Sequence, residues 1–310
     1  MVEFTHIPVM LNEVLEGLNL KPNGVYVDCT LGGAGHSREI LAKTKSATLV
    51  GIDKDPEALK VSAERLRGYG NRVKLVHADF KNIDNILNNL HIDKVDGILA
   101  DLGVSSYQLD ASSRGFTFRQ DAPLDMRMDT TAKLDAKAVV NTYSQEKLKQ
   151  VIKDYGEEKF AASIAKNIVK ARQNGEINTT GQLKQIILSS VPRYKGQDGS
   201  SNVQRTFQAI RIEVNAELDG LKDFIIAATG RLQPGGRLAI ITFHSLEDRI
   251  VKHTFKELST GCICPPDFPI CVCGHTAKAT IVGKMQTATE LELKQNSRSS
   301  SAKLRILQKI

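Results

Sequence analysis

The chain has 310 residues, 41% of them apolar, enough to bury a real core, which excludes a disordered chain or a disulfide-stapled miniprotein. Its 42 Lys and Arg against 35 Asp and Glu leave a net charge of +7, which suits a partner carrying phosphates without requiring one. No apolar run approaches the roughly 18 residues of a membrane span, the N-terminus lacks the pattern of a secretory signal, and five cysteines without an export signal point to reduced thiols and a cytoplasmic location.

Short β-branched runs alternate with amphipathic stretches over the first hundred residues. Val25–Asp28 reads as a strand ending in the cluster Leu31-Gly32-Gly33-Ala34-Gly35-His36, with a helix through Leu41; Thr48–Asp53 reads as a second strand, followed by a helix over Pro56–Leu66. Pro56 suits a helix's first turn, where its missing N–H has no partner to lose. Val73–Val76 makes a third strand, residues 82–90 a helix and Val95–Ala100 a fourth strand. This alternation predicts an α/β fold, a doubly wound, mostly parallel Rossmann-like sheet with helices on both faces. From about 130 to 190 the pattern turns helical, with Phe160, Ile164 and Ile168 on one stripe and Thr179 and Gln182 as a capping box for a helix closed by Val191-Pro192. Residues 196–202 read as an exposed mobile loop. Strand character returns at Arg237–Phe243 after the turn Pro234-Gly235-Gly236, and residues 301–309 alternate as a last edge strand. The division expected is a ligand-binding domain of residues 1–113 and 214–310, interrupted by an all-helical domain of residues 114–213 that recognises substrate.

Sheets of this kind bind ligands beyond the carboxyl ends of their strands. The glycine cluster follows the first strand, Asp53 ends the second about 20 residues on, where a carboxylate accepts ribose hydroxyls, and Asp101 ends the fourth. A nucleoside-containing cofactor is implied. The run Gly32-Gly33-Ala34-Gly35-His36 misses the dinucleotide spacing, and Asp28, Asp53 and Asp79 repel a pyrophosphate but suit a sulfonium and an ammonium group. S-adenosylmethionine is therefore preferred to NAD.

The segments Asp28–Ser37, Gly51-Ile52-Asp53, Asp101–Ser106, Pro123–Asp129, Phe207–Arg211, Phe243–Arg249 and Ser301–Arg305 stand in an order that resembles the bacterial small-subunit ribosomal RNA cytosine-N4 methyltransferase family (RsmH, also called MraW), from about His6 to Arg305. The resemblance implies a class I methyltransferase fold. It also implies transfer of a methyl group from S-adenosyl-L-methionine to the exocyclic N4 amine of a cytidine in the decoding region of small-subunit ribosomal RNA. Carried over, the cofactor contacts are Ala34, Gly35, His36, Asp53, Phe80, Asp101 and Gln108: Asp53 for the ribose diol, Phe80 against the adenine, the backbone of 34–36 for the methionine end. The chain departs from the family pattern at Tyr107, where a proline is usual, and at Ser201-Asn202-Val203, which stands for His-Pro-Ala. The alternatives are an RNA-binding ribosome assembly factor with a vestigial nucleoside pocket and an NAD-linked oxidoreductase on the same fold.

No catalytic residue is fixed. Asp101 is a candidate acceptor for the N4 proton or a cofactor contact only, and Asp101-Leu102-Gly103-Val104 lacks the Asp-Pro-Pro-aromatic motif of DNA amino-methyltransferases. Tyr107, Phe116, Phe118 and Phe243 are candidates to stack the base or to pack, and Arg127 and His244 are the guesses for substrate contact. Arg114, Arg119 and Arg127 alternate with Asp121, Asp125 and Asp129, either a self-paired loop or an RNA surface. Residues 294–310 carry five basic residues and no acid, a phosphate-contact candidate or a solvated tail. Ser245 reads as a helix cap. Cys262, Cys264, Cys271 and Cys273 form C-x-C-x6-C-x-C; zinc is open there, but one-residue spacers and Pro265-Pro266 disfavour it, so no metal is expected. The partner is small-subunit ribosomal RNA or the assembled subunit, with no membrane and an open oligomeric state.

Overall fold

The computed structural model describes residues 8–105, 108, 109, 111–192, 198–265, 268 and 270–310. In chain order come α1 (Leu11–Leu18), β1 (Val25–Asp28), α2 (Gly35–Lys43), β2 (Thr48–Asp53), α3 (Pro56–Leu66), β3 (Val73–His77), α4 (Ile83–Asn89) and β4 (Val95–Asp101). Helices then take over: α5 (Ala136–Thr142), α6 (Gln145–Gly156), α7 (Ala161–Arg172), α8 (Thr180–Ser190), α9 (Ser200–Asn215) and α10 (Leu221–Arg231). The chain ends with β5 (Leu232–Thr242), α11 (Ser245–Ser259), β6 (Ala279–Ile281), β7 (Gln286–Thr287), α12 (Glu290–Gln295) and β8 (Lys303–Lys309). It folds as two compact units, one of Met1–Gly103 with Asp219–Ile310, the other of Val104–Leu218.

The first unit is built on an eight-stranded sheet of order β3-β2-β1-β4-β5-β8-β6, with β7 also on β8. β1 to β5 run parallel, and β8 runs antiparallel between β5 and β6. The final strand is thus interior, not the edge the sequence suggests; its residues Leu304, Ile306 and Leu307 are buried, which an edge position would not achieve. Both faces of the central strands are covered, so neighbouring residues are apolar in pairs. Val27, Ile98 and Ile240 face one side with Phe224 and Phe255 of the helices, while Tyr26, Leu99 and Ile241 face the other with α1 and α2. α1, which precedes the first element read from the sequence, buries Val14, Leu15 and Leu18 on that second side, at about 1.5–3 kcal/mol for each side chain as an upper bound. β5 begins at Leu232, earlier than read, because Pro234-Gly235-Gly236 is absorbed as a register shift opposite Val95 and Gly97. Gly236 is needed there, since a Cβ would lie 2.9 Å from the Gln233 carbonyl and 3.0 Å from that of Asp96.

β1 sends the chain through β2 and β3 on one side, then through β4 and β5 on the other. The reversal falls between β1 and β4, and a crevice opens beyond their carboxyl ends.

The second unit packs Val139, Ile152, Ile164, Ile168, Leu183, Ile187, Phe207 and Ile210 into its own core. Its α8 carries the expected capping box, Thr179 accepting from the Gln182 amide while Gln182 reaches back, and stops at extended Val191. The predicted loop over 196–202 is corrected in part. Gly196 and Gln197 lie outside the described residues, but Ser200 to Asn202 are the first turn of α9, because Asp198 accepts from the Ser200 amide (2.9 Å) and hydroxyl (2.6 Å). Among the described residues no helix is long and apolar enough to cross a membrane.

Candidate active site

The turn after β1 is the first wall of the crevice. Gly32 (φ 50°) and Ala34 (φ 59°) are left-handed, and Ala34 precedes the first residue of α2. Asp53, at the end of β2, clamps this turn: its Oδ2 accepts from the Gly32 amide at 2.7 Å and its Oδ1 from the Asp55 amide at 2.8 Å. A carboxylate has about four lone-pair positions, so two amides leave room for hydroxyl donors. At the end of β1, buried Asp28 accepts from the Ser37 hydroxyl (2.6 Å) and the Thr30 amide (3.2 Å). At the end of β4, the Asp101 amide donates to Thr30 Oγ1 at 2.7 Å, and the carboxylate's Oδ1 is buried without a hydrogen-bond partner.

Three carboxyl groups at three strand ends make the electrostatics unusual. Burial raises Asp28 to about 6, against the opposing Ser37 and Thr30 bonds. Burial raises Asp53 to about 6 as well, against the Asp55 and Gly32 amides and with help from the charges of Asp55 and Asp28. Asp101 is pushed well above the carboxylate range by burial and by Asp28 and Glu247. Among the described residues no lysine or arginine offsets any of the three. The site is prepared for positive charge that the protein itself does not supply.

His36 sits inside this wall and not in water: the residue is 6% exposed and its Nε2 lies 2.9 Å from the Val9 carbonyl. A carbonyl only accepts, so Nε2 carries the proton and Nδ1, 3.9 Å from Asp101 Oδ2, is the acceptor. Burial lowers His36 to about 4, so the ring is neutral at pH 7.

Phe80 follows β3 and is half-buried, meeting Phe224 edge-on with ring centroids 4.6 Å apart. At the end of β5, His244 and not Ser245 is the cap of α11, accepting from the Glu247 amide. Glu247 reaches back to the Phe243 amide (3.1 Å) and lies 3.2 Å from His244 Nε2. The arrangement is like a capping box with histidine in the serine's place, except that Glu247 returns to the amide of the residue before the cap and not to that of the cap itself. The His244 side chain is 6% exposed; its Nδ1 accepts from the Glu247 amide, while its Nε2 lies 3.2 Å from Glu247 Oε1 and has no hydrogen-bond partner among the described residues. Buried Glu247 was missed as a site residue; the His-x-x-Glu spacing ahead of an apolar run was the available signal.

The remaining expected residues fall in the second unit. Gln108 is buried and closes a tight turn, its Oε1 accepting from the Ser105 amide at 3.0 Å. Arg127 forms a two-point pair with Asp125 (2.9 and 2.7 Å) and donates to the carbonyls of Thr130 and Ala132. Arg114, 7% exposed, donates to the carbonyls of Arg127 and Met128. Within this segment Arg127 and Asp125 pair with each other, whereas Asp121 accepts from the Gly181 amide and Asp129 from Thr131. Phe116 lies in the core and Phe118 packs edge-on against Phe207. Tyr107 lies outside the described residues. Three of the five basic residues in the C-terminal stretch have internal partners: Arg305 and Lys303 pair with Asp248 at 2.7 and 3.3 Å, and Lys309 donates to the Lys278 carbonyl.

The family model described as the MraW methylase family matches residues 3–310. The chain is 55% identical over 311 residues to ribosomal RNA small subunit methyltransferase H of Clostridium botulinum, covering 100% of both. It is 52% identical to ribosomal RNA small subunit methyltransferase H 2 of Agathobacter rectalis, covering 99% of each. It is 50% identical to the methyltransferase H of Clostridioides difficile, again over 100% of both. A glycine turn over an acidic crevice at the sheet's reversal point, within a chain matched along nearly its whole length, places this protein in the MraW methylase family.

Proposed function

We propose that the protein transfers a methyl group from S-adenosylmethionine to the exocyclic N4 amine of a cytidine in the decoding region of small-subunit ribosomal RNA. Membership of the MraW family supports the ribosomal RNA methyltransferase activity; the acceptor atom and base rest on the resemblance. The observation that carries the cofactor is the set of buried or half-buried carboxyl groups at the ends of β1, β2 and β4, shifted upward with no pairing lysine or arginine among the described residues, with Asp101 Oδ1 lacking a partner. A cation with hydroxyl donors fits that set, whereas a pyrophosphate would add like charge to it.

When bound, S-adenosylmethionine supplies an electrophilic methyl group on a sulfonium. Asp53 would accept the ribose hydroxyls on the lone pairs that Gly32 and Asp55 leave. Asp101 would receive the ammonium group, Ala34, Gly35 and His36 would line the methionine end, and the half of Phe80 turned from Phe224 would lie against adenine. Cytosine N4 is a weak nucleophile because its lone pair is delocalised into the ring. The protein's task is alignment for an in-line displacement, with the base exposed or flipped out of its stack. Such a substrate also places the protein with the ribosome in the cytoplasm.

The test is transfer of labelled methyl onto naked small-subunit ribosomal RNA and onto assembled small subunits, with the modified nucleotide mapped by mass spectrometry. One labelled cytidine, with the methyl on N4, is the expected result. Absence of label on both substrates, while S-adenosylmethionine but not NAD raises the melting temperature, would favour the assembly-factor reading. Label on another base would remove the cytidine assignment.

A further inference from the structure

Between the end of α11 and the start of β6 the chain makes an excursion whose two ends are pinned, the Lys278 amide donating to the Leu258 carbonyl at 2.8 Å. Little apolar burial holds it: Ile263, Phe268, Ile270 and Val272 are 62, 52, 74 and 73% exposed. Yet four sulfurs converge there. Cys262 Sγ lies 3.4 Å from Cys271 Sγ and 3.8 Å from Cys273 Sγ, with Cys271 and Cys273 3.5 Å apart. Cys264 completes a group whose ligand atoms all lie within 4.8 Å of one another.

We propose that Cys262, Cys264, Cys271 and Cys273 form a structural zinc site. Zinc–sulfur bonds of about 2.3 Å in a tetrahedron put the sulfurs about 3.8 Å apart, close to the spacing found. A disulfide would need about 2.05 Å between two of them, and no pair has begun to close. Backbone amides already point at the sulfurs: Cys264 N at Cys262, Val272 N at Cys264 and His275 N at Cys273, each 3.4 Å. A neutral thiol is a poor acceptor, whereas a zinc-bound thiolate accepts such bonds well. One-residue spacers do not prevent this, because each C-x-C pair aims both sulfurs at the same surface point, where Cys262 and Cys271 remain exposed, and leaves Ile263 or Val272 in solvent. Binding Zn²⁺ displaces the four thiol protons to solvent, and the metal supplies the cross-link that apolar burial does not.

The full chain, purified under reducing conditions and reconstituted with zinc, should carry about one zinc per chain. In the native chain, after removal of excess metal, all five cysteines should resist a thiol reagent, four because zinc holds them and Cys29 because it is buried, and a chelator should make four of them reactive. Cys262→Ser with Cys273→Ser should drop bound zinc at least tenfold and leave S-adenosylmethionine binding unchanged, since the excursion is pinned independently of its cysteines. If that variant fails to fold, cobalt titration of the reduced wild-type chain decides: a tetrahedral-thiolate absorption saturating near one equivalent and bleached by zinc supports the site. No metal and no such absorption, iron in zinc's place, or two disulfides as the resting state of the reduced-purified chain would each overturn it.

Discussion

Asp28 in the crevice and Asp125 in the helical unit are the same residue type in opposite surroundings. Asp28 is 2% exposed, accepts only from uncharged donors, and has its pKa raised to about 6. Burial also pushes Asp125 up, but the hydrogen bonds and charge of Arg127 outweigh it and hold the group below the usual carboxylate range. The first arrangement costs folding energy and the second returns it. Three adjacent strand ends whose carboxyl groups are shifted upward, with no pairing cation among the described residues, are what the proposed cationic ligand would meet.

The largest effect expected is on binding. Asp53→Ala removes both the acceptor proposed for the ribose and the clamp on Gly32, and should weaken S-adenosylhomocysteine binding by about 30- to 100-fold, or ~2–3 kcal/mol. Calorimetric titration reads this, and an unchanged affinity would remove the ribose assignment. Next comes one substitution at both sites. Asp125→Asn should destabilise by ~2 kcal/mol, because Arg127 keeps its position and loses its counter-charge. Asp28→Asn should stabilise the cofactor-free protein by ~1–2 kcal/mol at pH 7 while weakening cofactor binding. Equal signs in urea denaturation would break the comparison.

The pH dependence sharpens it further. Asp28 and Asp53 bind protons more tightly folded than unfolded, between their ordinary 3.8 and about 6. Their contribution to stability is therefore present below pH ~4 and lost as pH rises through ~6. Binding a cation needs them ionised, so cofactor affinity should move the other way, falling about tenfold for each group, about a hundredfold for both, from pH 7 to 5, with uptake of protons on release. Affinity independent of pH over that range would show that these carboxyl groups do not meet the ligand.

Much of this was legible in the sequence because it is local. Pro56 at a first helical turn, Thr179 with Gln182, and β-branched runs ending in aspartate each carry their own mechanism, and the strands and caps they announce are present. What was not legible depended on distant partners. Nothing near Lys303 and Arg305 in the sequence reveals that both pair with Asp248, so the stretch reads there as a phosphate-contact candidate or a solvated tail. Nothing near residues 301–309 shows that β6 and β7 cover the strand's outer side. The site was legible as positions but not as energetics: Asp53 and Asp101 are placed by strand ends, while their raised pKa values come from burial that only the packed sheet creates.

The smallest effect concerns a residue whose two readings part cleanly. His244 ends β5 beside the crevice, where a substrate-facing imidazole would be useful, yet its ring caps α11 and lies against Glu247. Asparagine is among the best N-caps, so His244→Asn keeps the bond to the Glu247 amide while deleting the ring. If the ring serves only the helix, stability should change by less than ~1 kcal/mol and methyl transfer should stay within about twofold. His244→Ala, which removes the cap as well, should cost ~1 kcal/mol or somewhat more. A tenfold fall in transfer by the asparagine variant, with its melting temperature intact, would return the imidazole to the substrate.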